Sequence, residues 1–277
     1  MTLIENIALL FDVDGVIAET PHEESWKQAA VEWNIIPDAF HFTPFYVDHV
    51  SGEPGLTGAY RILALLRGCG GRTFFSDYSK DEPARIAKTN SFRDRKQQIM
   101  DEHITRRHFR PFKDVVDIVT AARKDDIPIA AVSSSENAES VLCAMREDNQ
   151  SLLNVFNARA LGAIRHWRVP VDKSHHYAMA YGKLLGALYP RYHDSFFPKV
   201  VVFEDAPRGI EAITKLGFIG VGISRVSSTG AVLATPQRLR QAGARLVYIG
   251  SQLAEAGYDG FCKDLAAIIN DMPGGGA

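Results

Sequence analysis

The apolar run Ala8-Leu9-Leu10-Phe11 stops abruptly on Asp12-Val13-Asp14-Gly15, and that stop constrains the fold more than any other feature of the chain. Side chains alternate faces along a strand, so aspartates at i and i+2 point the same way. Gly15 permits the sharp turn that must follow a strand end. Two carboxylates at the carboxyl edge of a buried strand stand where open α/β sheets bind their ligands. One can serve as nucleophile or metal ligand while its neighbour handles protons. A plain Asp-Gly turn explains the same residues equally well, so the other strand ends have to decide.

Short β-branched apolar runs at residues 7–11, 127–132, 199–203, 218–223 and 245–249 read as buried parallel strands. Helical patterns at 112–124, 137–147, 173–185 and 208–216 separate most of them. Strands alternating with helices of that length predict a Rossmann-like, doubly wound α/β core around a parallel sheet. About a hundred residues separate Asp14 from the helix near Phe112, far too many for one connection. That interval carries helical patterns at 23–33, 57–66 and 83–106 and little strand character. The expected organisation is an α/β catalytic core from 1–18 and 108–272, an inserted helical cap at 19–107, and a disordered Gly-rich tail at 273–277. Such a cap would sit above the aspartates and close over a ligand.

Composition narrows the function classes. With 277 residues, 46% hydrophobic and 23% charged, the chain has the make-up of a soluble globular protein. A formal net charge of −2 gives no general pull towards nucleic acid or an anionic membrane. The three cysteines, Cys69, Cys143 and Cys262, lack a CxxC spacing, which fits a reducing compartment. No apolar run is long enough to span a bilayer, and the start, with Glu5, lacks the basic region of a signal peptide. The expectation is a cytoplasmic protein without nucleic-acid or membrane partners; oligomeric state is open.

Three later strand ends or helix starts carry reactive side chains. The run Val132-Ser133-Ser134-Ser135 precedes a helix, where a hydroxyl and free N–H groups form an anion site or, more plainly, a serine cap. Lys173 opens a helical run and can neutralise a phosphoryl oxygen or remain a solvated charge. The strand Val200-Val201-Val202-Phe203 ends on Glu204-Asp205, whose carboxylates would meet Asp12 across the sheet edge or simply cap the next helix. Oxygen ligands gathered there suit Mg2+. A cation also relieves the repulsion that crowded acids otherwise meet by raising one another's pKa.

Phe11-Asp12-Val13-Asp14-Gly15-Val16, Val132-Ser133-Ser134-Ser135, Lys173 and Phe203-Glu204-Asp205-x-x-x-Gly209-Ile210 resemble the four motifs of the haloacid dehalogenase superfamily of phosphohydrolases. The similarity runs over nearly the whole chain and is greatest to the β-phosphoglucomutase-like branch with an α-helical cap. That branch usually has Lys-Pro-x-Pro-Asp as its third motif, whereas this chain reads Lys173-Ser174-His175-His176-Tyr177. Lys173 is assigned by position, with Lys183 as the substitute.

The resemblance implies that Asp12 is the nucleophile, forming an aspartyl-phosphate, and that Asp14 is the general acid and then base. It implies Mg2+ held by Asp12, the backbone carbonyl of Asp14, Asp205 and Glu204. Ser133, the Ser134 amide and Lys173 would bind the transferring phosphoryl group. Such chemistry is positioning plus charge stabilisation.

In the cap, His22-x-x-x-Trp26, Gly52-x-Pro54-x-x-x-Gly58 and Arg95-Lys96 also resemble this branch. By that resemblance His22, Trp26 and Lys96 touch substrate, while a packing pair at i, i+4 explains His22 and Trp26 as well. Gly55 occupies a place where relatives often carry arginine, the natural clamp for a second phosphate, with Arg61, Arg67 or Arg72 as compensation. That loss favours hydrolysis over a mutase reaction. The basic cluster Arg159, Arg165, His166 and Arg168 reads as a solvated loop or an attraction for anions. The leading expectation is a Mg2+-dependent phosphatase of a small phosphorylated metabolite, a sugar phosphate above all. The competing readings are a β-phosphoglucomutase-like mutase and a non-catalytic protein that binds a phosphorylated metabolite.

Overall fold

The computed structural model describes residues 6–68, 71–78, 80–147, 149–162, 173–188, 199–228, 230, 232 and 234–272. The tail at 273–277, Cys69, and Arg165, His166 and Arg168 of the basic cluster lie outside them. The chain divides into two compact units, Thr20–Phe109 and Met1–Glu19 with Arg110–Ala277.

Among the described residues, four α-helices build the first unit: α1 (His22–Glu32), α2 (Thr43–His49), α3 (Gly55–Leu65) and α4 (Glu82–Thr105). Asp81 caps α4 by accepting the Ala84 N–H at 3.1 Å, and Pro83 suits the first turn. Trp26, Ala30, Ile62, Leu63, Phe92 and Ile99 belong to the unit's own apolar core. Gly58 lets α3 approach closely, since a Cβ there would stand 3.1 Å from Val50 and 3.5 Å from Trp26.

Among the described residues of the second unit, six strands make its main sheet: β1 (Ile7–Asp12), β2 (Ile129–Ser133), β3 (Ala158–Leu161), β4 (Lys199–Glu204), β5 (Ile219–Ser224) and β6 (Leu246–Ile249). They form one parallel sheet in the order β6-β5-β4-β1-β2-β3. The chain builds outward from β1 through β2 to β3, then returns to β4 on the other side. That reversal makes the crevice beyond the carboxyl ends of β1 and β4 a topological switch point. Short strands at Ala18–Glu19 and Arg110–Pro111 pair antiparallel where the chain leaves this unit and re-enters it.

Helices α5 (Lys113–Lys124), α6 (Ala138–Ala144), α7 (Lys173–Leu188), α8 (Pro207–Lys215), α9 (Pro236–Gln241) and α10 (Gln252–Asn270) complete this unit. Strand alternation sorts them onto two faces. Ala8 and Leu10 of β1 and Val200 and Val202 of β4 share a core cluster with Tyr177 and Leu184 of α7 and Ile213 of α8. On the opposite face Phe11 stacks on Phe203 at 4.6 Å, and Phe261 of α10 packs against Phe203 at 5.1 Å. This is the doubly wound α/β architecture expected from the alternating strands and helices.

Local departures from the expected elements have physical causes. The helix expected at 137–147 ends at Ala144, and Arg146–Glu147 pairs instead with Gln150–Ser151 in a two-stranded ribbon. Strand β3 is Ala-Arg-Ala-Leu, without the β-branched residues that mark its neighbours. Helix α10 is interrupted at Gly257, φ +61°, which breaks the helical period. No helix among the described residues is long and apolar enough to cross a membrane. Cys143 and Cys262 are free.

Candidate active site

Strand alternation also places the reactive groups. Asp12 continues the face of Ala8 and Leu10, and Glu204 continues that of Val200 and Val202. Helix α7 covers that face. Its first residue, Lys173, and Tyr177 one turn later are therefore brought to the two carboxylates.

Lys173 Nζ donates to Asp12 Oδ2 at 3.0 Å and to Glu204 Oε2 at 2.6 Å. The Tyr177 hydroxyl donates to the same Glu204 oxygen. Glu204 Oε1 accepts the Ala206 N–H at 3.0 Å, so hydrogen bonds reach both oxygens of this fully buried carboxylate. Two glycines make room for the acids. A Cβ on Gly209 would stand 2.1 Å from the Glu204 carboxyl carbon, and one on Gly15, φ +82°, would stand 2.0 Å from Asp205 Oδ2.

Asp14 faces a different partner. Ser133 at the end of β2 donates its hydroxyl to Asp14 Oδ2 at 3.2 Å and accepts the Ser135 N–H at 3.0 Å. Ser134, the neighbouring residue, is exposed. Asp12 pairs in register with Val132, which brings the ends of β1 and β2 side by side.

The electrostatics match the crowding. Burial is the main reason the Asp12 carboxyl is held well above the usual carboxylate range; Glu204 and Asp14 push the same way and Lys173 opposes. Asp205 is raised by burial, then by Glu204 and Asp12, again against Lys173. Burial works against the Lys173 charge, yet Asp12 and Glu204 outweigh it and raise that ammonium well above an ordinary lysine.

Asp12, Glu204 and Asp205 each offer an oxygen, all within 4.8 Å of one another. An all-oxygen set whose acids resist ionising side by side fits a hard divalent cation such as Mg2+. Asp12 and Asp205 are the more available ligands, because Glu204 already serves three donors.

The structure therefore gathers Asp12, Lys173, Glu204 and Asp205 into one group and brings Asp14 to Ser133. Lys183 is elsewhere on α7, exposed and donating to the Arg159 carbonyl at 2.9 Å. Within the helical unit, Lys96 is 5% exposed and its Nζ lies 2.9 Å from His22 Nδ1 and 5.3 Å from the centre of the Trp26 ring. Trp26 itself packs on Phe92 at 5.6 Å in the core of that unit. Arg61 is tied to Glu53 at 2.8 Å and to the His49 carbonyl at 3.0 Å. Sequence reasoning missed Tyr177, although its i, i+4 spacing from Lys173 places both on one helix face.

No protein-family model matches the chain, and a search of curated proteins finds no match. Solved structures do match. An archaeal β-phosphoglucomutase from a hyperthermophilic Pyrococcus strain aligns with a TM-score of 0.69 at 25% identity, over 94% of this chain and 99% of that one. CbbY from Rhodobacter sphaeroides, in complex with xylulose-1,5-bisphosphate, aligns with a TM-score of 0.62 at 19% identity, over 90% and 96%. A predicted phosphoglycolate phosphatase from Haemophilus somnus aligns with a TM-score of 0.61 at 15% identity, over 90% and 95%. In fold and in the placement of its motifs the chain is similar to β-phosphoglucomutases of known structure, as its resemblance to the haloacid dehalogenase superfamily leads one to expect. These likenesses to mutases and phosphatases support a phosphoryl-transfer enzyme.

Proposed function

We propose that the chain is a Mg2+-dependent phosphatase of a small phosphorylated metabolite, with sugar phosphates the first class to test. The observation that carries this reading is the Lys173–Asp12 contact, 3.0 Å across, at the switch point of the sheet. A cation beside a buried carboxylate offsets part of the cost of ionising it and also meets an incoming phosphoryl oxygen.

In the proposed reaction an Asp12 oxygen attacks phosphorus in line and the bond to the leaving oxygen breaks. Asp14 gives its proton to the departing alcohol, leaving an aspartyl-phosphate. Asp14 then takes a proton from water as the water oxygen attacks phosphorus, which frees inorganic phosphate and restores Asp12. Lys173, the Ser133 hydroxyl and the Ser134 amide hold the phosphoryl oxygens. Mg2+, held by Asp12, Asp205 and the Asp14 carbonyl with Glu204 beside them, would supply charge neutralisation for the carboxylates and the phosphoryl group. His22, Lys96 and Trp26 are assigned to substrate recognition on the resemblance alone.

A second reading, a sugar-phosphate mutase, is favoured by the 25% identity to a protein described as a β-phosphoglucomutase. A screen of phosphorylated metabolites with Mg2+, with and without a sugar bisphosphate, separates the two. Net phosphate release supports the phosphatase. Bisphosphate-activated interconversion with little release supports the mutase and overturns the first reading.

A further inference from the structure

Tyr177 lies beneath the site and has no step in the reaction proposed above. Its side chain is fully buried, sharing a core cluster with Ala180, Leu184 and Val202, so its hydroxyl is presented from a rigid ring. That hydroxyl donates to Glu204 Oε2, the oxygen that also receives Lys173 Nζ at 2.6 Å. A lysine ammonium sits on a flexible stem and goes where its acceptors are. Two of the three N–H donors of Lys173 point to Asp12 and Glu204, so the position of Glu204 determines where the ammonium stands. The backbone fixes Glu204 at Oε1 through Ala206, while Tyr177 is the neutral donor that fixes Oε2.

We infer that Tyr177 is a positioning residue: its hydroxyl holds Glu204, and Glu204 sets where Lys173 meets Asp12 and the phosphoryl group. The inference rests on the phosphoryl-transfer reading given above.

The test is turnover of p-nitrophenyl phosphate with Mg2+ by wild type, Asp12→Asn, Tyr177→Phe, Lys173→Arg and the Lys173→Arg/Tyr177→Phe double variant. Phenylalanine keeps the buried ring, so Tyr177→Phe is expected to retain the wild-type circular dichroism and lose about tenfold in kcat, the effect of one hydrogen bond to a charged group. In the Lys173→Arg background, where the lysine geometry is already gone, the same change is expected to alter kcat by less than about twofold. A Tyr177→Phe rate equal to wild type overturns the inference and leaves the phosphatase reading standing. Equal losses in both backgrounds also overturn it, since a general loss of folded protein acts the same way on each. If Tyr177→Phe fails to fold, Tyr177→Met takes its place, and failure of both assigns Tyr177 to the core alone. A wild type without turnover, or an active Asp12→Asn, overturns the phosphatase reading and the inference with it.

Discussion

Lys173 at the start of α7 holds Asp12 at the end of β1, Nζ to Oδ2, at 3.0 Å. The contact joins residues 161 positions apart and offsets part of the cost of charging a buried carboxylate. Lys173→Met should lower turnover by about a hundredfold or more, the scale of losing one charge-stabilising donor in a reaction site. Lys183→Ala, on the exposed side of the same helix, should remain within about twofold of wild type. Steady-state phosphate release measures both.

The glycines beside the acids give a second expectation. Gly15→Ala forces a side chain onto a backbone at φ +82° and into Asp205 at 2.0 Å. It should destabilise the protein by about 1–3 kcal/mol, the scale of a residue held in a disfavoured conformation. It should also raise the Mg2+ concentration needed for half-maximal activity. Gly209→Ala drives into Glu204 at 2.1 Å and should cost activity by displacing the acceptor of Lys173. Thermal midpoints and Mg2+ titrations of activity check both variants.

Below neutral pH one expected change comes from His176, which is 3% exposed. Burial is the main reason its ring stays below the ordinary histidine value; its hydrogen bond to the Gly162 carbonyl opposes, and Lys173 and His175 add to the depression. The folded protein therefore favours the neutral ring, while an unfolded histidine takes up a proton near pH 6.5. The stability tied to this group is fully present above that value and is lost as pH falls through the depressed folded value. Asp12 and Asp205, raised in the folded protein, bind protons as pH falls and push the midpoint the other way. His176 is therefore read from the variant: between about pH 7 and pH 5 the midpoint of wild type should fall relative to that of His176→Gln.

Much of this arrangement was legible in the residues, for identifiable reasons. An all-apolar strand that ends on Asp12 or Glu204 is a strong local signal, because burial and a sudden charge seldom coincide without a site. The helical insertion was legible from its length and from the lack of strand pattern between Asp14 and Phe112. Strand β3 was hidden by its alanines and an arginine, since its place comes from pairing with β2 rather than from its own propensity. Glu204 was legible as an acid but not as the acceptor shared by Lys173, Tyr177 and Ala206, because those partners depend on how α7 and α8 pack on the sheet. His22, Trp26 and Lys96 were singled out by resemblance to the β-phosphoglucomutase-like branch; that Lys96 lies against both the His22 ring and the Trp26 ring required the packing of α1 on α4.

The central claim is that Asp12 carries a phosphoryl group between substrate and water. Its most direct test is release of inorganic phosphate from p-nitrophenyl phosphate by wild type and Asp12→Asn, each with Mg2+ and with EDTA. Mg2+-dependent release by wild type, abolished by EDTA and by Asp12→Asn in a variant with unchanged circular dichroism, is the predicted result. Substantial release by a folded Asp12→Asn, or none by wild type across a panel of phosphate monoesters, contradicts it.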